Sequence, residues 1–124
     1  MSLEIAGLDY PNKKGPPRRF ELAMCSPGEP VLLEPEPKNP ADPQAVAIYS
    51  CRGIQLGYDR ADRAPLIRAY LSRARITAAV FQCMTHRGAL IRIALDGVEL
   101  RLPPPRSGPP EEPEFYPDYD SGWD

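Results

Sequence analysis

The chain has 124 residues, 42% of them hydrophobic, with 15 Lys and Arg against 17 Asp and Glu, which suits one folded domain and leaves too little for a second core. Its 17 prolines exclude a helical bundle, because proline disrupts helix interiors and cannot donate to a sheet ladder, so short elements joined by many turns are expected. The mean hydropathy of −0.43, with every apolar run broken by Arg or Gln within about ten residues, excludes a membrane-spanning helix.

In chain order, the alternation in LEIAGL predicts a strand over residues 3–8. NKKGPPRR, from Asn12, is a basic loop rich in Pro and Gly. FELAM (20–24) and VLLEPE (31–36) read as two β segments separated by SPGEP, a turn by composition. AVAIYS (45–50) is the clearest strand, and a CRG turn leads from it into IQLGY (54–58). One helix is expected from Asp59 or Arg60 through Leu71; Pro65 inside that pattern allows a start near Ala64 instead, with the proline at the first position. ITAAVFQCM (76–84), LIRIAL (90–95) and VELRL (98–102) complete the set. The last two flank Asp96-Gly97, the strongest hairpin signal in the chain. About seven strands with one or two short helices, and no internal repeat, predict a mostly-β fold, a small antiparallel barrel of OB-like or SH3-like form.

Charge divides the chain near Leu102. Residues 1–102 carry 14 Lys and Arg against 11 Asp and Glu, a net +3, while residues 103–124 carry one Arg against six acids, a net −5. The second segment is Pro-rich and contains no Val, Ile or Leu. It cannot bury enough apolar area to offset its ordering entropy, so a folded domain over 1–102 and a disordered acidic tail over 103–124 are expected. The tail's Phe115, Tyr116, Tyr119 and Trp123 set flat rings among its carboxylates. It either lies transiently over a basic face of the domain and competes with whatever anion that face binds, or simply solubilises the chain.

Little in the sequence carries catalytic chemistry. The first residues, MSLEIAGLDY, lack the basic and apolar regions of a secretory signal. Cys25, Cys51 and Cys83 are odd in number and widely spaced, so a reduced, cytoplasmic protein with buried thiols is expected. A zinc site from those cysteines and His86 is the competing reading, though no C-x-x-C pair supports it. Phosphate-loop, nucleophile-elbow and metalloprotease motifs are absent. Asp59 and Asp62 stand among Arg60, Arg63 and Arg68 and read as solvated ion pairs on a helix. A binding protein without cofactor, rather than an enzyme, is expected, and a monomer.

The informative segment is EPEPKNPADPQAVAIYS (34–50). Proline fixes its own φ and pushes the preceding residue toward extended geometry, so Pro40 and Pro43 hold Asn39 and Asp42 in a nearly fixed loop. Asn-Pro and Asp-Pro also start ordinary turns, and composition alone does not separate a turn from a loop that presents a carboxylate to a ligand.

Four features together resemble the HIRAN domain, a β-rich module found alone in bacteria and attached to helicase-like and nuclease-like proteins. They are IAGLDY (5–10), PGEP (27–30), NPADPQAVAIY (39–49) and GIQLGYDRAD (53–62), and the resemblance spans roughly residues 3–95. It implies an OB-like barrel that binds single-stranded DNA, in some members by the free 3′ end. By position, Asp42 matches the acid that accepts the terminal 3′-hydroxyl and Asn39 the amide of the same loop. Tyr10 matches an aromatic against the terminal nucleotides, and Tyr58 a residue contacting the strand's backbone. Lys13, Lys14, Arg18, Arg19 and Arg60, close in sequence to the two tyrosines, supply cations suited to phosphates. Ala41 stands where an aromatic precedes the acid in DNA-end binders, and Asp9 where a basic residue precedes the tyrosine; both changes lower the expected affinity. Two other readings remain open, a protein-interaction adaptor that has kept the barrel, and an accessory to a helicase or nuclease on another chain.

Overall fold

The computed structural model describes residues 1–86 and 88–102. The disorder expected of residues 103–124 lies outside the described residues. The elements run β1 (Ser2–Ala6), α1 (Arg18–Met24), β2 (Val31–Pro35), β3 (Val46–Ser50), β4 (Gln55–Asp59), α2 (Ala64–Ser72), β5 (Ile76–Met84) and β6 (Ala89–Leu95). The six strands form one antiparallel sheet in the order β2-β3-β4-β1-β6-β5. Its two ends approach each other where Pro30 bridges Val80, and there the Phe81 amide donates to the Glu29 carbonyl at 2.8 Å. The result is the nearly closed barrel expected from the sequence.

Alternation explains the core. On β1, Leu3 and Ile5 point inward while Ser2 and Glu4 do not, and Ile91 and Ile93 do the same on β6. They meet Val46, Ile48, Leu56 and Phe81, all buried. α2 adds Ala64 and Ile67, and it starts at Ala64 with Pro65 in its first turn, the later of the two expected starts.

Four expectations are corrected. FELAM is not a strand: Arg18–Met24 is helical after Pro17, and burial falls on Arg18, Glu21 and Leu22, the spacing of a helix face rather than of a pleat. VELRL forms no strand, because both edges of β6 are already taken by β1 and β5. The turn before it does form, with Asp96 and Gly97 at positive φ and the Val98 amide donating to the Leu95 carbonyl at 3.0 Å. Asp59 is not a solvated helix residue but ends β4 opposite Ile5, only 4% exposed. Cys51 is exposed in the turn after β3. Cys25 and Cys83 are half-buried, and burial pushes both thiols up. Among the described residues no three His, Cys, Asp or Glu side chains are grouped to hold a metal, and no helix is long and apolar enough to cross a membrane.

A buried polar cluster fastens α1 to the β3–β4 hairpin. The Glu21 carboxylate accepts the Ser50 hydroxyl at 2.7 Å and the Arg52 Nε at 2.6 Å. Arg52 also reaches Glu29, so one guanidinium ties the helix, the hairpin and the turn into β2. That fixes where α1 delivers Arg18.

Candidate functional site

The loop between β2 and β3 is built around Asn39. Its Oδ1 accepts the Ala41 and Asp42 amides at 2.9 and 3.1 Å. Its Nδ2 donates to Glu36 Oε1 at 2.9 Å and lies 3.4 Å from the Tyr58 hydroxyl. An amide side chain has two donor hydrogens and two acceptor lone pairs, so Asn39 is used up inside the protein. Tyr58 in turn donates its hydroxyl to the same Glu36 oxygen at 2.8 Å. Asp42 accepts the Gln44 amide on Oδ1 at 2.8 Å, and its second oxygen makes no hydrogen bond among the described residues. Asp42 is thus a half-buried carboxylate with one oxygen fixed and one open to a ligand.

β4 brings Tyr58 to this loop, and the turn after β1 brings Tyr10 to the same Gly7 that Tyr58 approaches. Ala6 pairs with Tyr58 across the two strands. Gly7 follows with φ +74, and a Cβ there would lie 3.4 Å from the Tyr10 ring and 3.8 Å from the Tyr58 ring. Both tyrosines therefore flank one bare stretch of backbone. Tyr10 is 70% exposed, so most of its ring faces solvent. Beneath them Arg18 is buried: it donates to the Gly7 carbonyl and to Asn12 Oδ1, both at 2.8 Å, and its guanidinium sits 5.6 Å from the Tyr58 ring centroid. Arg18 braces the Tyr58 ring and the Gly7 turn.

The structure thus gathers Tyr10, Arg18, Asn39, Asp42 and Tyr58. The remaining cations divide. Arg19 is engaged with Asp9, which holds that carboxyl below its usual range. Arg60 is engaged with Glu4 and Asp62. Exposed pairs of this kind contribute little, being screened by solvent and salt, so a phosphate can compete for either arginine. Lys13 and Lys14 are exposed on the loop after Tyr10 and make no hydrogen bond or ion pair among the described residues. Three residues escaped the sequence reading. Glu36 joins Asn39 to Tyr58; Arg68 of α2 donates to the Pro43 carbonyl at 2.6 Å; and Lys38 is exposed beside Asn39. Glu36 and Lys38 lie inside the quoted segment 34–50, and Arg68 lies outside it.

Asp59, next to Tyr58, gives the site a pH-dependent foundation. Its Oδ1 accepts the Arg60 amide at 3.0 Å while Oδ2 is buried without a partner. Burial, more than the neighbouring Asp62, pushes this carboxyl up to about 6. The folded protein therefore binds the proton more tightly than the unfolded chain, and this group's penalty appears as pH rises from about 4 through 6. Stability should fall across that window by on the order of 2 kcal/mol. Urea unfolding of the wild type and Asp59→Asn at both ends of the window tests this: the substitution should remove that part of the slope, and an identical slope would contradict it.

Comparison with known proteins places these residues in a family. A model of the HIRAN domain matches residues 1–97. Among solved structures, a protein from Lactobacillus plantarum superposes with a TM-score of 0.59 at 16% identity, covering 74% of this chain and 90% of that one. The HIRAN domain of human HLTF superposes with a TM-score of 0.54 at 17% identity, covering 73% of this chain and 68% of that one. No curated protein matches in sequence.

Proposed function

The chain belongs to the HIRAN domain family, and from that premise we propose that it binds single-stranded DNA with the strand's 3′-hydroxyl end seated at Asp42. HIRAN domains are generally nucleic-acid-binding modules, binding domains rather than catalytic ones. The observation that carries the finer reading is the open Asp42 oxygen on a loop tied to Tyr58, whose ring shares the Gly7 backbone with Tyr10. A carboxylate is a poor neighbour for a continuing phosphodiester, since two anions would meet in a partly desolvated site. It is a good acceptor for a terminal hydroxyl, which donates a charge-assisted hydrogen bond. An acid at the centre of a DNA site makes physical sense where the strand ends. Tyr10 offers a free face to the terminal base, and Lys13, Lys14 and Lys38 offer uncommitted charges to the phosphates behind it.

Two tests separate these roles. Tyr10→Ala should cost about 1–3 kcal/mol of affinity through lost stacking, with the thermal midpoint unchanged because the ring is exposed. Charge reversal of Lys13 and Lys14 should weaken hydroxyl-ended and phosphate-ended strands alike. It should also reduce the slope of log affinity against log salt by roughly 0.7 per lost phosphate contact. A loss confined to one type of end would contradict the phosphate role.

A second reading has its own observation. Arg18, Arg19 and Arg60 are all committed to partners within the protein, and Ala41 supplies no ring, so the face is less basic than the sequence suggests. An adaptor that recruits a protein partner, such as a helicase or nuclease chain, fits that balance. Absence of single-strand binding at low salt would favour it.

A further inference from the structure

The loop that carries Asp42 is short of backbone donors, though the Ala45 amide donates to the Asp42 carbonyl at 3.0 Å. Pro37, Pro40 and Pro43 lack amide hydrogens, so side chains share with a few backbone bonds in fixing the segment. Glu36 enters the loop with its own amide on the Ala45 carbonyl at 2.9 Å and its carbonyl accepting the Asn39 amide at 3.0 Å. Its carboxylate oxygen Oε1 then takes both the Tyr58 hydroxyl and Asn39 Nδ2. Without that acceptor the Asn39 amide has lost its anchor, and with it the Oδ1 cap on the Ala41 and Asp42 amides. On the far side Arg68 reaches from α2 to the carbonyl of Pro43, the residue after Asp42. Among the described residues, Tyr58 and Arg68 supply the side-chain hydrogen bonds that reach this loop from outside it.

We propose that Glu36 and Arg68 are the positioning residues of the site: they touch no ligand and hold the 36–45 loop so that the open oxygen of Asp42 faces the strand end. This rests on the end-recognition reading for its functional consequence, while the positioning itself can be measured without DNA. Arg68 differs in role from Lys13 and Lys14, since its charge is spent on a carbonyl of the protein rather than offered to a phosphate.

The test uses the full chain and two readouts. The first is amide hydrogen exchange at Ala41 and Asp42. Exchange at both should accelerate about tenfold or more in Glu36→Ala, the scale of one lost hydrogen bond to a charged group. It should stay near wild type in Glu36→Gln, whose amide oxygen still accepts, and β3 and β4 should be unaffected in either variant. The second is the ratio of affinities for short single strands ending in 3′-hydroxyl and 3′-phosphate. Glu36→Ala and Arg68→Ala should each bring the ratio toward one, Glu36→Gln should retain most of it, and the salt slope of Arg68→Ala should equal that of the wild type. Unchanged loop exchange in Glu36→Ala overturns the assignment of Glu36 whatever the DNA result. A flattened salt slope in Arg68→Ala means that Arg68 contacts phosphate, and overturns its assignment. Faster exchange in Glu36→Ala with a wild type indifferent to the 3′ group upholds the positioning and rejects the end-recognition reading instead.

Discussion

Replacing Asp42 by Ala should abolish the distinction between a 3′-hydroxyl and a 3′-phosphate end. A hydrogen bond from a hydroxyl to an ionised carboxylate contributes about 1.5–3 kcal/mol, so affinity for the hydroxyl-ended strand should fall by roughly 10- to 100-fold. The phosphate-ended strand, repelled by the wild-type carboxylate, should bind the variant as well or better. The barrel should remain folded, because the group removed is half-exposed and its one hydrogen bond, to the Gln44 amide, is local. Asp42→Asn is the sharper companion. It keeps an oxygen for Gln44 and the loop's shape but removes the charge, so it should stop rejecting the phosphate while keeping part of its grip on the hydroxyl. Loss of binding to both ends in equal measure by Asp42→Ala would show that the residue shapes the loop and does not read the end.

The largest effect on stability is expected at Gly57, in the Leu-Gly-Tyr run that delivers Tyr58. A Cβ on Gly57 would be driven into the carbonyl oxygen of Ala6 and would lie 2.7 Å from Ile5 Cγ2. One of these atoms is backbone and the other belongs to a core side chain, so the strain cannot be relieved by turning a surface group. β1 would have to leave β4, breaking the pairs Ile5 with Asp59 and Ala6 with Tyr58. Gly57→Ala should therefore cost about 3 kcal/mol or more, at or beyond the usual upper end for overpacking, a large part of the stability of a domain this size. Gly53→Ala is the control. That glycine also has a positive φ, +82, but its Cβ would meet nothing within 4 Å, so only the conformational cost of roughly 1 kcal/mol applies. Equal denaturation midpoints for the two variants would contradict the claim that close approach of β1, rather than backbone conformation, makes Gly57 necessary.

The parts of the fold written in local periodicity were legible. Residues 76–84 form β5 with the ends the sequence predicts, since Ile76, Thr77, Val80 and Phe81 are β-branched or aromatic residues that suit a pleated strand. The parts decided by distant neighbours were not. FELAM alternates on paper, yet Pro17 starts a helix and the Glu21–Ser50–Arg52 cluster secures its inward face. VELRL alternates too, but no edge of β6 was left to receive it. The site divides the same way. Asn39 and Asp42 stand out because prolines fix them, whereas Glu36 ties Asn39 to Tyr58, 22 residues away, and Arg68 reaches Pro43, 25 residues away. The run of basic residues after Tyr10 looked uniform in sequence. The fold splits it: Arg18 turns inward against Tyr58 and the Gly7 carbonyl, Arg19 is spent on Asp9, and Lys13 and Lys14 are left to solvent.

The central claim is that the strand ends at Asp42, and one titration addresses it directly. The wild-type chain is titrated at low salt with two short single strands of identical sequence, one ending in a 3′-hydroxyl and the other in a 3′-phosphate, alongside a blunt duplex of the same length. The account predicts that the hydroxyl-ended strand binds at least about tenfold more tightly than the phosphate-ended one, the scale of one charge-assisted hydrogen bond, with the duplex weaker than the hydroxyl-ended strand. Equal affinity for the two ends would contradict it.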